Sequence, residues 1–270
     1  MIDIHSHILP GVDDGPGDEE GTLALLRRMA ADGITEVAAT PHMLDGRYDV
    51  SRDRMLEGVE RVRRLVEEEV PSLTVHPGAE VLVHPDLPDR LARGEVATLS
   101  EGGRYILVEM SFQVVPVELG RLLFEIQLKG VVPVLAHPER TRQVQRRPEI
   151  LDPLVEAGVL MQINASSLTG DLGEAERGAA LALVERGVAH IVASDAHDPV
   201  SRPSRMKEAQ HLLMDLVGQE ETDRMVAERP RRILAGEEVV VPMPGKLSGT
   251  NARRTGCRNT PIWKRVFSWQ

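Results

Sequence analysis

Seven short apolar runs alternate along this chain with longer amphipathic stretches, and that rhythm restricts the fold more than any other feature. The runs that read as strands are Ile2 to His7, Glu36 to His42, Leu73 to Val83, Tyr105 to Ser111, Val132 to His137, Leu160 to Ser166 and Ala189 to His197. Between them, apolar residues recur at helical spacing in Glu19 to Asp32, Arg54 to Glu69, Val117 to Lys129, Pro148 to Ala157 and Glu174 to Arg186. Gly33, Gly130, Gly158 and Gly187 stand where a helix C-terminus favours a left-handed residue. Repeated βα units imply a parallel sheet, either open and doubly wound or closed into a barrel. No Gly-x-Gly-x-x-Gly follows the first run, so the dinucleotide-binding version loses support.

The position of the polar residues decides for a barrel. His5 and His7, His42, Glu80, Glu109, His137, Asn164, and Asp195 with His197 fall at or near the C-terminal ends of successive apolar runs. In a parallel barrel those ends converge on one rim, where active sites are built. His5 and His7 are two apart, so an extended strand presents both to one face. Asp14 follows on a loop punctuated by glycine and proline and can fold back beside them.

Nine residues are candidate metal ligands: His5, His7, Asp14, His42, Glu80, Glu109, His137, Asp195 and His197. Imidazole and carboxylate without thiolate suits Mn, Fe, Zn or Co, with Mg as a further choice, and excludes a zinc-ribbon type of structural site. At three or four protein ligands per ion the set holds two or three ions. Such ions lower the pKa of bound water from 15.7 to about 7 in favourable cases, and a hydroxide shared by two of them is placed for in-line attack on phosphorus. Hydrolysis of a phosphate ester is therefore the expected reaction. Arg140 and Arg202, close in sequence to His137 and His197, can grip the phosphate oxygens.

Each of these residues has a plainer reading. Asp14 alone is a turn residue, and Arg140 and Arg202 without the cluster are surface charges. Glu80 and Glu109 are harder to dismiss, because an unpartnered carboxylate inside an apolar strand is costly and a cation relieves it. His76, His84, His190 and His211 have no matching rim position and are expected to be structural or exposed.

The 270 residues suffice for one large α/β domain or two small ones, and with aromatics at only 3% the core must be aliphatic. A net charge of -10 argues against a general nucleic-acid binder and suits a holder of cations. No apolar run is long enough to cross a membrane and no secretion signal is readable, which with the single Cys257 points to the cytoplasm. Cysteine-based phosphatase chemistry needs an arginine six positions after the nucleophile, and six positions after Cys257 stands Trp263. Residues 1–243 are read as the catalytic domain. Residues 244–270 carry Lys246, Arg253, Arg254, Arg258, Lys264 and Arg265 with no acidic residue, and are read as a flexible basic tail, with a docking segment as the alternative.

The ordered motifs His-Ser-His, Val-Asp-Asp-Gly-Pro, Ala-Thr-Pro-His, Gly-Ala-Glu, Leu-Val-Glu-Met, Ala-His-Pro-Glu-Arg, Gln-Ile-Asn-Ala-Ser-Ser-Leu-Thr-Gly and Ala-Ser-Asp-Ala-His resemble the PHP (polymerase and histidinol phosphatase) superfamily. Within it they are similar to the bacterial protein-tyrosine phosphatases of capsule and exopolysaccharide operons, from residue 1 to about residue 215. The resemblance implies a distorted (β/α)7 TIM-like barrel with a trinuclear, usually manganese centre. His5, His7, Glu109 and Asp195 would hold one ion and Asp14, His42, Glu80, His137 and His197 the others, with Glu109 bridging and Arg140 binding phosphate. Arg140, Glu109 and Asp14 are the implied catalytic positions. The implied substrate is a phosphotyrosine protein, typically a bacterial tyrosine autokinase. Met43 stands where relatives commonly have a second histidine, and the basic tail has no counterpart. Two alternatives stay open: a phosphatase of a small ester such as histidinol phosphate, and a non-catalytic scaffold. Oligomerisation is open as well.

Overall fold

The computed structural model describes residues 1–44, 46–48 and 50–241; the tail expected at 244–270 lies outside the described residues. Among the described residues there are nine strand segments: β1 (Ile2–Ser6), β2 (Glu36–Ala39), β3 (His42–Met43), β4 (Thr74–Pro77), β5 (Glu80–Leu82), β6 (Tyr105–Glu109), β7 (Val132–Ala136), β8 (Leu160–Asn164) and β9 (Ile191–Ala193). All pair in parallel, in the orders β1-β2-β4 and β3-β5-β6-β7-β8-β9. β2 and β3 are halves of one strand position, and so are β4 and β5. The seam between first and last strands is joined by a single bridge, Ser6 to Ala196, with Asp195 N donating to His5 O at 2.9 Å and His7 N to Ala196 O at 2.8 Å. Seven strand positions thus follow one another in chain order around a distorted (β/α)7 barrel.

Two expected strands are corrected by their own residues. The run Glu36 to His42 breaks at Thr40 and Pro41, and Pro41 has no amide hydrogen for a ladder. Leu73 to Val83 breaks at Gly78 and Ala79, where a Cβ on Gly78 would lie 3.1 Å from the Leu99 side chain and 3.2 Å from that of Thr40. The expected helix Pro148 to Ala157 is also divided, into a tight turn Pro148–Leu151 and a short helix Asp152–Glu156. Pro153 cannot donate to Glu149, so one continuous helix is blocked there.

The outer helices follow local chemistry. Asp18 caps Glu19–Ala31 by accepting from Gly21 N at 2.9 Å, and that helix buries Leu25, Leu26 and Met29. Ser51 caps Arg52–Glu69, which buries Met55, Val59, Val62 and Val66 at three- and four-residue spacing. These faces join the larger apolar cluster between sheet and helices. A second cluster fills the N-terminal half of the barrel interior, with Ile2, Ile4, Ala38, Tyr105, Leu107, Val134, Leu160 and Ile191 closed off by Leu99, Ile233 and Leu234. The Tyr105 hydroxyl donates to Glu237 O at 2.7 Å and accepts from Val239 N at 3.0 Å, tying the last described residues across this floor. Each large aliphatic side chain buried here contributes about 1.5–3 kcal/mol.

Candidate active site

Above that apolar floor the same strands turn polar. Ile2 and Ile4 face the inner cluster, so an unbroken β1 would point His5 and His7 to the opposite side. The pairing of β1 with β2 slips between Asp3 and Ser6, and the slip turns both histidines inward. Asp3 fills the irregularity, accepting from His5 N at 3.2 Å and Ser194 N at 3.0 Å. The loop that follows returns to His7 because Gly15 has no side chain: a Cβ there would collide with the His7 carbonyl. That approach sets Asp13 Oδ2 2.6 Å from His7 Nδ1 and brings Asp14 Oδ1 within 3.9 Å of the same nitrogen.

All nine expected ligand residues come together at the C-terminal rim. They form four overlapping groups, His7-Asp14-His42-His197, His5-His7-Glu80, His5-His137-Asp195 and His42-Glu80-Glu109, each with ligand atoms within 4.8 Å of one another. Bonds of about 2.0–2.2 Å to one ion put its ligand atoms at most about 4.4 Å apart, and the closer pairs already stand at 3.1–3.5 Å. Glu80 Oε2 lies 3.3 Å from His5 Nε2, 3.4 Å from His7 Nε2 and 3.1 Å from His42 Nδ1. Asp195 Oδ1 is 3.5 Å from both His5 Nε2 and His7 Nε2, and Asp14 Oδ1 is 3.2 Å from His197 Nε2. Glu80 therefore takes part in two groups, whereas Glu109, the bridge implied by the resemblance, takes part in one. His137 and Asp195 have φ of +31° and +53°, a left-handed backbone that costs each about 1 kcal/mol or more and aims both side chains into the cluster.

The electrostatics show what this arrangement requires. Burial opposes charge on every member, yet Glu80 and Asp195 lift His5 to about 9. Burial, with the neighbouring charge of Glu80, pushes Glu109 up to about 7. Burial, with the charge of His7, brings His197 down to about 4. Burial works against the charged forms of Glu80 and Asp195 as well, but the surrounding imidazoles hold both carboxyls well below their usual range. Three buried atoms, His42 Nδ1, Glu80 Oε2 and His197 Nε2, have no hydrogen-bond partner among the described residues although ligand-type atoms stand close by. Convergent lone pairs without donors are what a divalent cation satisfies, so the residues present fit a metal centre.

Both expected arginines reach this cluster. Arg140 Nη1 donates to Asp195 Oδ2 at 2.9 Å, and Arg202 Nη2 donates to the same oxygen at 3.2 Å. Their side chains remain 22% and 35% exposed, so both face the mouth of the site. Of the other histidines, His190 is buried against Met161, His76 pairs with Glu36, and His84 pairs with Asp86.

Three supporting residues escaped the reading of the sequence. Asp13, the neighbour of Asp14, accepts from His7 Nδ1 and from His42 N at 3.0 Å. Gln162 accepts from His5 Nδ1 at 2.9 Å and donates to Asn164 Oδ1 at 2.9 Å, while Asn164 Nδ2 donates to Asp195 Oδ2 at 2.7 Å. This chain fixes the orientation of two candidate ligands at once. Glu139, fully buried, accepts from Asn164 N at 2.9 Å and Ser167 Oγ at 2.7 Å and anchors the turn that carries Arg140. A polar residue at inward parity in β8 was the available signal for Gln162. None marked Glu139.

A parallel barrel that gathers imidazoles and carboxylates at its C-terminal rim, with arginines at the mouth, defines the class of metal-site α/β barrels. Residues 1–235 match the model of the family described as Capsular polysaccharide synthesis, CpsB/CapC, and the chain belongs to that family. It is 38% identical over 221 residues to the tyrosine-protein phosphatase YwqE of Bacillus subtilis, covering 82% of this chain and 86% of that protein. It is 30% identical over 239 residues to the tyrosine-protein phosphatase CpsB of Streptococcus pneumoniae, covering 87% and 98%. A chain from the crystal structures of YwqE and CpsB, described there as unique metal-dependent tyrosine phosphatases, superposes with a TM-score of 0.87 at 34% identity, over 91% of this chain and 99% of that one.

Proposed function

We propose that this protein is a metal-dependent protein-tyrosine phosphatase that hydrolyses phosphotyrosine. The observation that carries the reading is the convergence of His5, His7, Asp14, His42, Glu80, Glu109, His137, Asp195 and His197 beneath Arg140 and Arg202. The relatives named above support the choice of phosphotyrosine. Metal ions held by these residues, with manganese as the proposed occupant, would supply an activated water and neutralise phosphate charge. The chain's own groups do the rest. Arg140 exchanges its contact with Asp195 for the phosphate oxygens, Arg202 approaches from the side of Asp14, and Gln162 with Asp13 hold His5 and His7 with one ring nitrogen free to ligate. A tyrosine autokinase of capsule or exopolysaccharide synthesis is the proposed partner, in the cytoplasm. The family description supports that context, and among the described residues no helix is long and apolar enough to cross a membrane.

The test is hydrolysis of a tyrosine-phosphorylated peptide against histidinol phosphate by protein stripped with chelator and refilled with Mn. Mn-dependent release of phosphate from the peptide is expected. Activity on the small ester alone would replace the substrate assignment, and activity on neither would leave the protein a scaffold.

A further inference from the structure

The mouth of the site carries one feature that neither metal ligation nor phosphate binding uses. Phe112 is 39% exposed in a chain with only three phenylalanines and a core built from aliphatic residues. Its ring centroid lies 4.4 Å from the guanidinium carbon of Arg140 and 5.7 Å from the centroid of His137. The ring is not on a free loop. Arg142 N donates to Phe112 O at 2.8 Å, the Thr141 hydroxyl donates to Ser111 O at 2.9 Å, and Val115 N donates to the Gln143 side chain at 2.9 Å. These three bonds tie the loop after β6 to the segment that carries Arg140, which holds the aromatic ring beside the guanidinium.

We infer that Phe112 determines specificity for aryl phosphates: its exposed ring is the platform for the aromatic ring of a phosphorylated tyrosine whose phosphate is held by Arg140. The inference rests on the phosphatase reading above and adds to it the residue that recognises the leaving group. Two physical arguments support it. The exposed part of the ring lies beside Arg140, and the group attached one oxygen away from a phosphate held by Arg140 is what arrives there and can cover it. Offset or edge-to-face contact between rings also favours an aryl ester over an alkyl ester, because a serine or threonine ester brings no ring to the platform.

The experiment compares binding of phenylphosphonate and methylphosphonate to the Mn-loaded full chain by titration calorimetry, in wild type, Phe112→Leu and Phe112→Tyr. Neither ligand can be hydrolysed, so the readout is separate from turnover. The wild type is expected to prefer phenylphosphonate, Phe112→Leu to reduce that preference about threefold to tenfold, and Phe112→Tyr to retain it. A parallel assay reads kcat/KM on a phosphotyrosine peptide and on a phosphoserine peptide, where the same ratio should fall in Phe112→Leu. Equal losses for both ligands in Phe112→Leu would overturn the inference, since the ring would then serve only to brace Arg140. An unchanged preference would overturn it as well. A metal-loaded wild type that hydrolyses neither peptide overturns the protein-phosphatase reading itself, an outcome distinct from an active enzyme whose preference ignores Phe112.

Discussion

The two ends of the barrel are made from the same strands and do opposite things. β1 gives Ile2 to the floor and His5 to the site, β6 gives Leu107 and then Glu109, and the chain through β9 gives Ile191 and then Asp195. The floor is satisfied by contact among apolar groups. At the rim, imidazole and carboxylate atoms converge to within 4.8 Å of one another, some of them buried with no hydrogen-bond partner among the described residues, and two residues have left-handed backbone. The contrast teaches that stability and chemistry are separated along each strand by a few residues, so damage at one end should be readable apart from damage at the other.

The sharpest test is Arg140→Ala. We expect turnover of an aryl phosphate to fall by about 10²–10³, the cost of losing one donor to developing charge, with metal content unchanged. Steady-state kinetics with elemental analysis checks this, and full activity would remove Arg140 from its assigned role. At the floor, Leu107→Ala should cost about 2–5 kcal/mol in urea unfolding while the folded variant keeps its metal and its turnover. A large loss of metal in that variant would show that the two ends are not separable. Gln162→Leu tests the support of the rim. With His5 Nδ1 left without its acceptor, metal affinity should drop about 10–100-fold, measured by competition with a chromogenic chelator.

A smaller effect concerns pH in the metal-free protein. His5 is raised from 6.5 to about 9, so its contribution to stability is complete below pH 6.5 and is lost as pH rises through 9. Glu109 is raised from 4.5 to about 7, so its protonated form stabilises below pH 4.5 and that gain is lost as pH rises through 7. Both act in one direction, and the melting temperature of the stripped protein should decline between about pH 6.5 and 9. Mn loading should flatten the decline, because bound cations replace the proton on His5 as partner of the carboxylates. A melting curve that is level or rising over that range in the stripped protein would show that the rim is not the source. The smallest effect expected is none: deletion of residues 244–270 should leave hydrolysis of a small aryl phosphate unchanged, and loss of that activity would make the tail part of the catalytic unit.

The candidate ligands were legible in the sequence because parallel strands number their ends in chain order. A polar residue closing an apolar run can be assigned to the rim without knowing any contact. Glycines at helix ends were legible for a similar local reason, and Gly33, Gly130, Gly158 and Gly187 all have positive φ. Asp13 and Gln162 were harder, since their work is to orient another residue and their partners are distant in sequence or hidden by a loop.

What the sequence by itself determined is the parallel βα order, the aliphatic core and the set of nine ligand-type residues, because periodicity and strand-end position are local properties of the chain. The tertiary structure alone decided that β1 slips between Asp3 and Ser6 so that His5 and His7 turn inward, and that Gly78 is pressed against Leu99 and Thr40 where the run Leu73 to Val83 divides. It alone brought Phe112 against Arg140, and Glu80 rather than Glu109 into two groups. Register, closure and side-chain convergence depend on pairs of residues far apart in the chain, whose positions are set only when the ring of strands forms.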